Sequence, residues 1–193
     1  MKTLITITGT LLLAATAALA GPPIICQRVE IGNARSLPWR EVKGWDGADR
    51  QYDVTRLSAD TLAALSADPT LNVHMETLRR AAVYAVKKEG LADQLAARLL
   101  ARAANSEAAG KPDAMAWFDA GYFAEAMRQM AFVQRYMKPA GQAQWAWNGE
   151  SWTLDGKPWI DHARSLGAKG LEVPLAKVEE LRLADLKRAQ AGS

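Results

Sequence analysis

The sequence predicts a mainly α-helical domain, arranged as an antiparallel helical bundle or a short helical array. An extended N-terminal strap precedes the helices, and a small Trp-rich β-hairpin interrupts them. From residue 58 onward, apolar residues recur at helical spacing in segments separated by Gly and Pro. Residues 21–57 lack this periodicity. The short loops between the amphipathic segments favour antiparallel neighbours, so residues 21–193 are expected to form one domain.

The helical segments follow one another from residue 58. Ser58 or Asp60 can cap a short first helix, and Pro69 ends it. Further helices are expected at about 71–89, 91–106, 112–137, 157–166 and 174–189. The segment 112–137 is apolar nearly all round, which is typical of a central helix. Gly121 within it indicates a close approach of a neighbouring helix.

Two non-helical features are expected. Ile25, Val29 and Ile31 share one parity, which favours a short extended strand within the strap at residues 21–57. Residues 144–154 form two short β-prone runs around Asn148 and Gly149, a strong local signal for a hairpin.

Residues 1–20 have the pattern of a signal peptide. Lys2 is followed by an apolar stretch and then by small residues that end in Ala18-Leu19-Ala20, the pattern that signal peptidase cleaves. The apolar stretch is shorter than the roughly 20 residues that span a bilayer, which disfavours an uncleaved anchor. The sequence therefore predicts cleavage after Ala20, export to a periplasm or out of the cell, and no membrane span in the mature chain.

Composition excludes some partners. Cleavage after Ala20 removes one lysine, so the formal net charge falls from +3 to +2. This small surplus, with both signs interspersed, argues against nucleic acid as a partner. Cys26 is the single cysteine, so an internal disulfide cannot form. Two interpretations of Cys26 remain open: a buried small hydrophobic residue, or an exposed thiol that bridges two molecules.

Asp119 is the acid most relevant to a binding site. Its position on the apolar face of its helix predicts burial, and a buried carboxylate needs a partner, which Arg79 or Arg80 can supply. A packing ion pair is the simpler interpretation. The functional alternative is an acid of raised pKa or an anchor for a ligand.

A cluster of tryptophans is the second candidate site. Trp145, Trp147, Trp152 and Trp159 lie within fifteen residues. Cross-strand aromatic pairs that clamp a flap onto the helical core are one interpretation. The other is an aromatic platform that binds a glycan, a peptide or a protein.

No catalytic or metal-binding motif is recognisable. His74 and His162 are the two histidines, and neither has metal-ligand spacing. His74 falls on the polar side of its helix, which predicts an exposed side chain. Nothing in the sequence implies a cofactor, a metal or a catalytic residue. A Ser-His-Asp set assembled by folding stays open as a remote alternative.

The strap carries a recognisable pattern of residues, Cys26-x-x-x-Glu30-Ile31-Gly32-x-Ala34-x-Ser36-Leu37-Pro38-Trp39. It resembles the start of a group of exported bacterial helical proteins, and residues 75–81 and 110–122 fit the same group. In that group a histidine follows the cysteine, whereas Gln27 stands here, which weakens any Cys-His metal site. The resemblance implies fold class and export, and no activity.

These observations together favour a non-enzymatic, exported helical protein that binds a protein or a peptide. The alternative is a module that binds a small ligand or a glycan through the Trp145–Trp159 region. An unrecognised hydrolase or lyase is a more remote alternative, which requires a pocket with convergent titratable groups. The sequence does not predict the oligomeric state.

Overall fold

The computed structural model describes residues 22–137 and 145–191, and this part of the chain is mainly helical. Its α-helices are α1 (Pro23–Cys26), α2 (Leu57–Ala67), α3 (Leu71–Ala85), α4 (Leu91–Ala108), α5 (Ala114–Phe132), α6 (Lys157–Ser165) and α7 (Glu172–Ala191). Short 3-10 turns occupy Val54–Arg56 and Gly149–Ser151, and a π-helical turn, Val133–Met137, extends α5. The described residues contain no strand; an isolated bridge joins Trp39 and Ala48. The mainly α-helical prediction is confirmed.

Residues next to the helices explain where several of the helices begin and end. The Asp113 side chain accepts hydrogen bonds from the first N–H groups of α5, which caps that helix. Gly90 has φ of 77°, a left-handed conformation that suits glycine, and α4 begins after it. The third helix ends at Ala85, earlier than the predicted Glu89, because the chain turns between Tyr84 and Gly90.

Helix α5 lies at the centre of the molecule and contacts α1, α3, α4, α6 and α7. Nearly all of its side chains are buried, as expected for a helix that is apolar all round. A Cβ atom at Gly121 would lie 2.6 Å from the carbonyl oxygen of Gly156 and 2.7 Å from a side-chain carbon of Ile160. The close helix approach predicted at Gly121 is therefore confirmed, and its partner is α6.

Side-chain pairings give the directions of α6 and α7 relative to α5. Trp117 packs edge-on against His162, whereas Gly121 meets Ile160, so α6 runs antiparallel to α5. Gln129 donates to the carbonyl of Lys177, and Glu125 pairs with Arg182 at 2.8 Å. Helix α7 is therefore also antiparallel to α5.

The predicted strand within the N-terminal strap is wrong. Ile25 belongs to the short helix α1 and is fully buried, as is Ile24. Pro23 fixes the backbone for a helix start, and the side-chain oxygen of Gln129 accepts from the N–H groups of both isoleucines at 2.7 and 3.3 Å. A tertiary hydrogen bond therefore replaces the ladder that a strand needs. The rest of residues 22–56 is irregular, apart from the 3-10 turn and the isolated bridge between Trp39 and Ala48.

The predicted β-hairpin is not formed. The Asn148 side chain accepts from the N–H of Glu150 and starts a 3-10 turn instead of a two-residue hairpin turn. The N–H of Trp147 donates to the carbonyl of Val86, and the indole of Trp152 donates to a backbone carbonyl of α5. The backbone N–H of Trp152 donates to the carbonyl of Gly149 within the 3-10 turn, so neither this N–H nor that of Trp147 pairs across a hairpin. Residue 144 of the predicted hairpin lies outside the described residues.

The predicted signal peptide, residues 1–20, also lies outside the described residues. Among the helices that the structure describes, none is both long and apolar enough to cross a membrane.

Candidate functional site

An open groove of about 470 Å³ lies where the loop after α1 meets the start of α3. Part of its lining comes from Glu30, Ile31 and Ala34, and the rest comes from Asp68 and residues 70–73. Glu30 and Asp68 are the charged residues among the eight that line it, and no tryptophan is among them. The groove therefore combines apolar side chains with two carboxylates on an accessible surface.

The loop that carries Glu30 is fastened to α3 by hydrogen bonds. The N–H of Val29 donates to the Glu76 carboxylate at 3.1 Å. A few residues further along the chain, the Ser36 hydroxyl lies 2.8 Å from the Thr77 hydroxyl. Glu76 and Thr77 are adjacent on α3, so both ends of the groove-lining loop are tied to one buried turn of helix.

Glu76 is the centre of a buried charge network. Both its oxygens accept hydrogen bonds from the Arg79 guanidinium at 2.7 Å, and Arg80 donates to it at 2.8 Å. Glu76 is 1% exposed and Arg79 is fully buried. Burial disfavours the Glu76 carboxylate, but the hydrogen bonds and charge of Arg79 outweigh it and hold the pKa of Glu76 below its ordinary value. The carboxylate is therefore ionised at neutral pH.

The same network holds the irregular N-terminal segment. Arg79 donates to the carbonyl oxygens of Ile25 and Trp45, and Arg80 donates to that of Leu37. The Arg79 and Arg80 guanidinium groups also lie 4.6 and 5.5 Å from the ring centre of Trp39. Two arginines on α3, the buried Arg79 and the partly buried Arg80, thus bind carbonyl groups of a segment that has almost no secondary structure of its own.

His74 fixes the other side of the groove, the segment that begins at Asp68. Its Nε2 lies 2.9 Å from the carbonyl oxygen of Asp68, and its Nδ1 lies 2.6 Å from the Asp119 carboxylate. Asp119 is fully buried, and it also accepts from Arg102 at 3.4 Å. Burial opposes a charge on His74, but the hydrogen bond and charge of Asp119, with the carbonyl of Asp68, raise the pKa of His74 above its ordinary value.

These contacts correct two predictions. His74 is 2% exposed, so the predicted exposed histidine is wrong. Asp119 is buried as predicted, but its partners are His74 and Arg102 instead of Arg79 or Arg80, which bind Glu76. Asp119 thus supports the chain at Asp68 through His74.

Two of the four tryptophans, Trp147 and Trp152, pack against each other, and Trp145 and Trp159 pack elsewhere. Trp145 meets Trp45 edge-on at 6.4 Å, and Trp147 is 4% exposed and packs against Trp152 at 6.1 Å. Trp159 lies on α6, partly buried against the core. Among the described residues, the hydrogen bonds of the Asp119 side chain go to α3 and α4, and none goes to these tryptophans. The structure does not join the five candidate residues into one site.

A hydroxyl, a histidine and an acid do meet on the surface. His162 Nε2 lies 3.3 Å from Glu107, and its Nδ1 lies 3.4 Å from the Ser165 hydroxyl. That hydroxyl also lies 2.7 Å from the carbonyl oxygen of His162, a shorter distance that makes the carbonyl its acceptor. Because the hydroxyl proton points to the backbone and His162 is partly exposed, this arrangement lacks the activated nucleophile of a hydrolase.

The single cysteine and the arrangement of possible metal ligands also bear on ligand chemistry. Cys26 is a free, partly buried thiol, and burial raises its pKa to about 11, so it is protonated at neutral pH. Within residues 22–137 and 145–191, no cluster of three or more His, Cys, Asp or Glu side chains is arranged to hold a metal ion.

Comparison of the chain with protein-family models, with curated proteins and with solved structures found no match. The geometry of the groove therefore carries the functional proposal.

Proposed function

We propose that the protein is an exported, non-catalytic binding protein that holds an extended peptide segment of another protein in the groove between residues 30–34 and 68–73. The observation that supports this most directly is the groove itself, which is open and lined by apolar side chains with two carboxylates. Small-molecule sites are enclosed and bury most of their ligand, whereas an open groove leaves room for a chain that enters at one end and leaves at the other.

The groove is organised before anything binds. Glu76 and Thr77 fix the loop after α1, and His74 fixes the backbone at Asp68. A partner therefore does not have to order these segments on binding, which lowers the entropic cost of association. This accounts for three buried polar side chains that the apolar core alone does not require.

Export belongs to the same proposal. The pattern of residues 1–20 and cleavage after Ala20 would deliver the domain to a periplasm or to the outside of the cell. Its peptide partner would then be a segment of another exported protein.

The test is selection followed by a matched pair of variants. The mature protein is used to select peptides from a random 12-residue library displayed on phage, and the affinity of each enriched peptide is measured by calorimetry. Ala34→Phe fills the groove, whereas Ala101→Phe adds the same side chain to an exposed site on α4. Since overpacking costs about 1–3 kcal/mol, Ala34→Phe should weaken binding by roughly tenfold or more, and Ala101→Phe should leave it unchanged. Equal affinities for the two variants would overturn the proposal.

A further inference from the structure

We infer that the groove selects a peptide that carries a lysine or arginine side chain beside its backbone carbonyl groups. This inference rests on the proposed function, because it names the class of peptide that the same groove binds.

The first argument is charge. Glu30 is exposed, and it makes no hydrogen bond or ion pair within the described part of the chain. The Asp68 carboxylate accepts from the hydroxyl and the N–H of Thr70 at 2.6 and 2.8 Å, and these bonds hold the pKa of Asp68 below its ordinary value. With no cation among the lining residues, a bound cation supplies the opposite charge.

The second argument concerns the start of α3. Leu71, Asn72 and Val73 line the groove and are the first residues of that helix, whose N–H groups have no acceptor within the helix. Thr70 precedes them, but its side chain does not cap them; its hydroxyl lies at the Asp68 carboxylate, to which it donates. The groove therefore adjoins the backbone donors of this helix end as well as the two carboxylates.

These two features together exclude an anion and favour a peptide. A helix N-terminus carries about half a positive charge, which on its own would attract an anion. The charged residues of the lining, Glu30 and Asp68, are both acidic, so the lining itself disfavours an anion. A neutral carbonyl group can accept from the N–H donors while a cation meets the carboxylates. An extended peptide with a basic side chain supplies both groups. The aliphatic stem of that side chain would pack on Ile31 and Leu71.

The experiment uses the selected peptides in a double-mutant cycle. In each peptide, the lysine or arginine is replaced by norleucine, which keeps the aliphatic stem and removes the charge. Both forms are titrated into the wild-type protein, into Glu30→Gln and into the control Glu89→Gln, an exposed site outside the groove. Removing one exposed carboxylate should weaken binding of the basic peptide by about two- to fivefold, and the norleucine peptide should lose much less. Glu89→Gln should change neither affinity.

The outcomes separate the two proposals. If the enriched peptides contain no basic residue, or if Glu30→Gln weakens the basic and norleucine forms equally, the charge inference is wrong while peptide binding stands. If peptides bind but Ala34→Phe does not weaken them, the groove is not the binding site and both proposals fail. The inference is supported if the basic peptide binds more tightly than its norleucine form, and if this difference disappears in Glu30→Gln and at high salt.

Discussion

Glu76→Gln removes the negative charge at the centre of the buried network and keeps the shape of the side chain. In the native protein, the Glu76 carboxylate accepts two hydrogen bonds of 2.7 Å from Arg79, whose side chain is fully buried. The substitution leaves the Arg79 cation with neutral acceptors only, the backbone carbonyl oxygens of Ile25 and Trp45 and the new amide oxygen, and puts an amide NH₂ group where a carboxylate oxygen accepted. Breaking a buried ion pair on one side costs about 3–5 kcal/mol.

This cost is large compared with the total stability of a domain, which is about 5–15 kcal/mol. With a urea dependence of about 2 kcal/mol per molar, the unfolding midpoint of Glu76→Gln should fall by about 2 M. Urea titration followed by tryptophan fluorescence measures it. Arg56→Gln is the matched control, because the Arg56–Asp60 pair is on the surface with Arg56 68% exposed, and its loss should cost less than about 1 kcal/mol.

The double variant with Arg79→Met tests the same pairing independently. Because Glu76 and Arg79 bind each other, the double variant should lose clearly less stability than the two single variants lose together. Additive losses, or a Glu76→Gln midpoint no lower than that of Arg56→Gln, would refute the view that this ion pair holds the groove-lining loop to α3.

Three further predictions follow from the same structure. Gly121→Ala should destabilise the protein by about 1–3 kcal/mol in urea titrations, because its Cβ would lie 2.6 Å from the Gly156 carbonyl oxygen, and this outweighs the gain of about 1 kcal/mol in helix propensity. The stability of the wild type, relative to His74→Gln, should fall as pH rises from about 6.5 to 8, because the native state keeps a proton on His74, beside Asp119, that the unfolded chain releases. Cys26, with a thiol pKa of about 11, should react with iodoacetamide at pH 8 on the order of a hundredfold more slowly than a cysteine in a short peptide.

Each of these predictions has an opposite outcome. A more stable Gly121→Ala protein would mean that α5 and α6 separate at no cost. A difference between wild type and His74→Gln that is constant from pH 6.5 to 8, or that grows, would show that the native protein does not favour the protonated histidine. Alkylation of Cys26 at the rate of the urea-unfolded protein would show that the thiol is not protected by burial.

The helices were predictable because their signals are local. The approximate positions of α2 to α7 follow from apolar periodicity, and the central place of α5 follows from its apolar surface all round. Gly121 was informative for the same reason: glycine inside a helix is unfavourable unless a neighbour comes close, and Gly156 does.

The predictions of a strand and a hairpin were wrong because residues distant in the sequence determine the structure of these two segments. Gln129, more than a hundred residues away in sequence, binds the N–H groups that a strand at Ile25 would have used. The backbone N–H of Trp147 donates to Val86, and the indole of Trp152 donates to a carbonyl of α5, which fixes that side chain on the central helix. Local propensity gives no sign of such partners, and the tertiary bonds outweigh it.

The groove could not be predicted from the sequence, although part of the charge network that holds its lining loop could. Glu76, Arg79 and Arg80 have the three- and four-residue spacing of helical ion pairs, and this signal could have paired them with each other instead of with Asp119. The prediction of an exposed His74 was wrong because a helical projection considers one helix alone and not its neighbours. Nearly every side of α3 is covered in the folded protein, so its polar residues are buried too.

The footprint of a bound peptide tests the central claim most directly. The ¹⁵N-labelled mature protein is titrated with a selected peptide, and the backbone amide signals that shift are assigned. A peptide held in the groove should shift signals of residues 30–34 and 68–73 and leave those on the exposed side of α4 in place. Shifts centred on the tryptophans of residues 145–159, with the groove signals unchanged, would contradict the account.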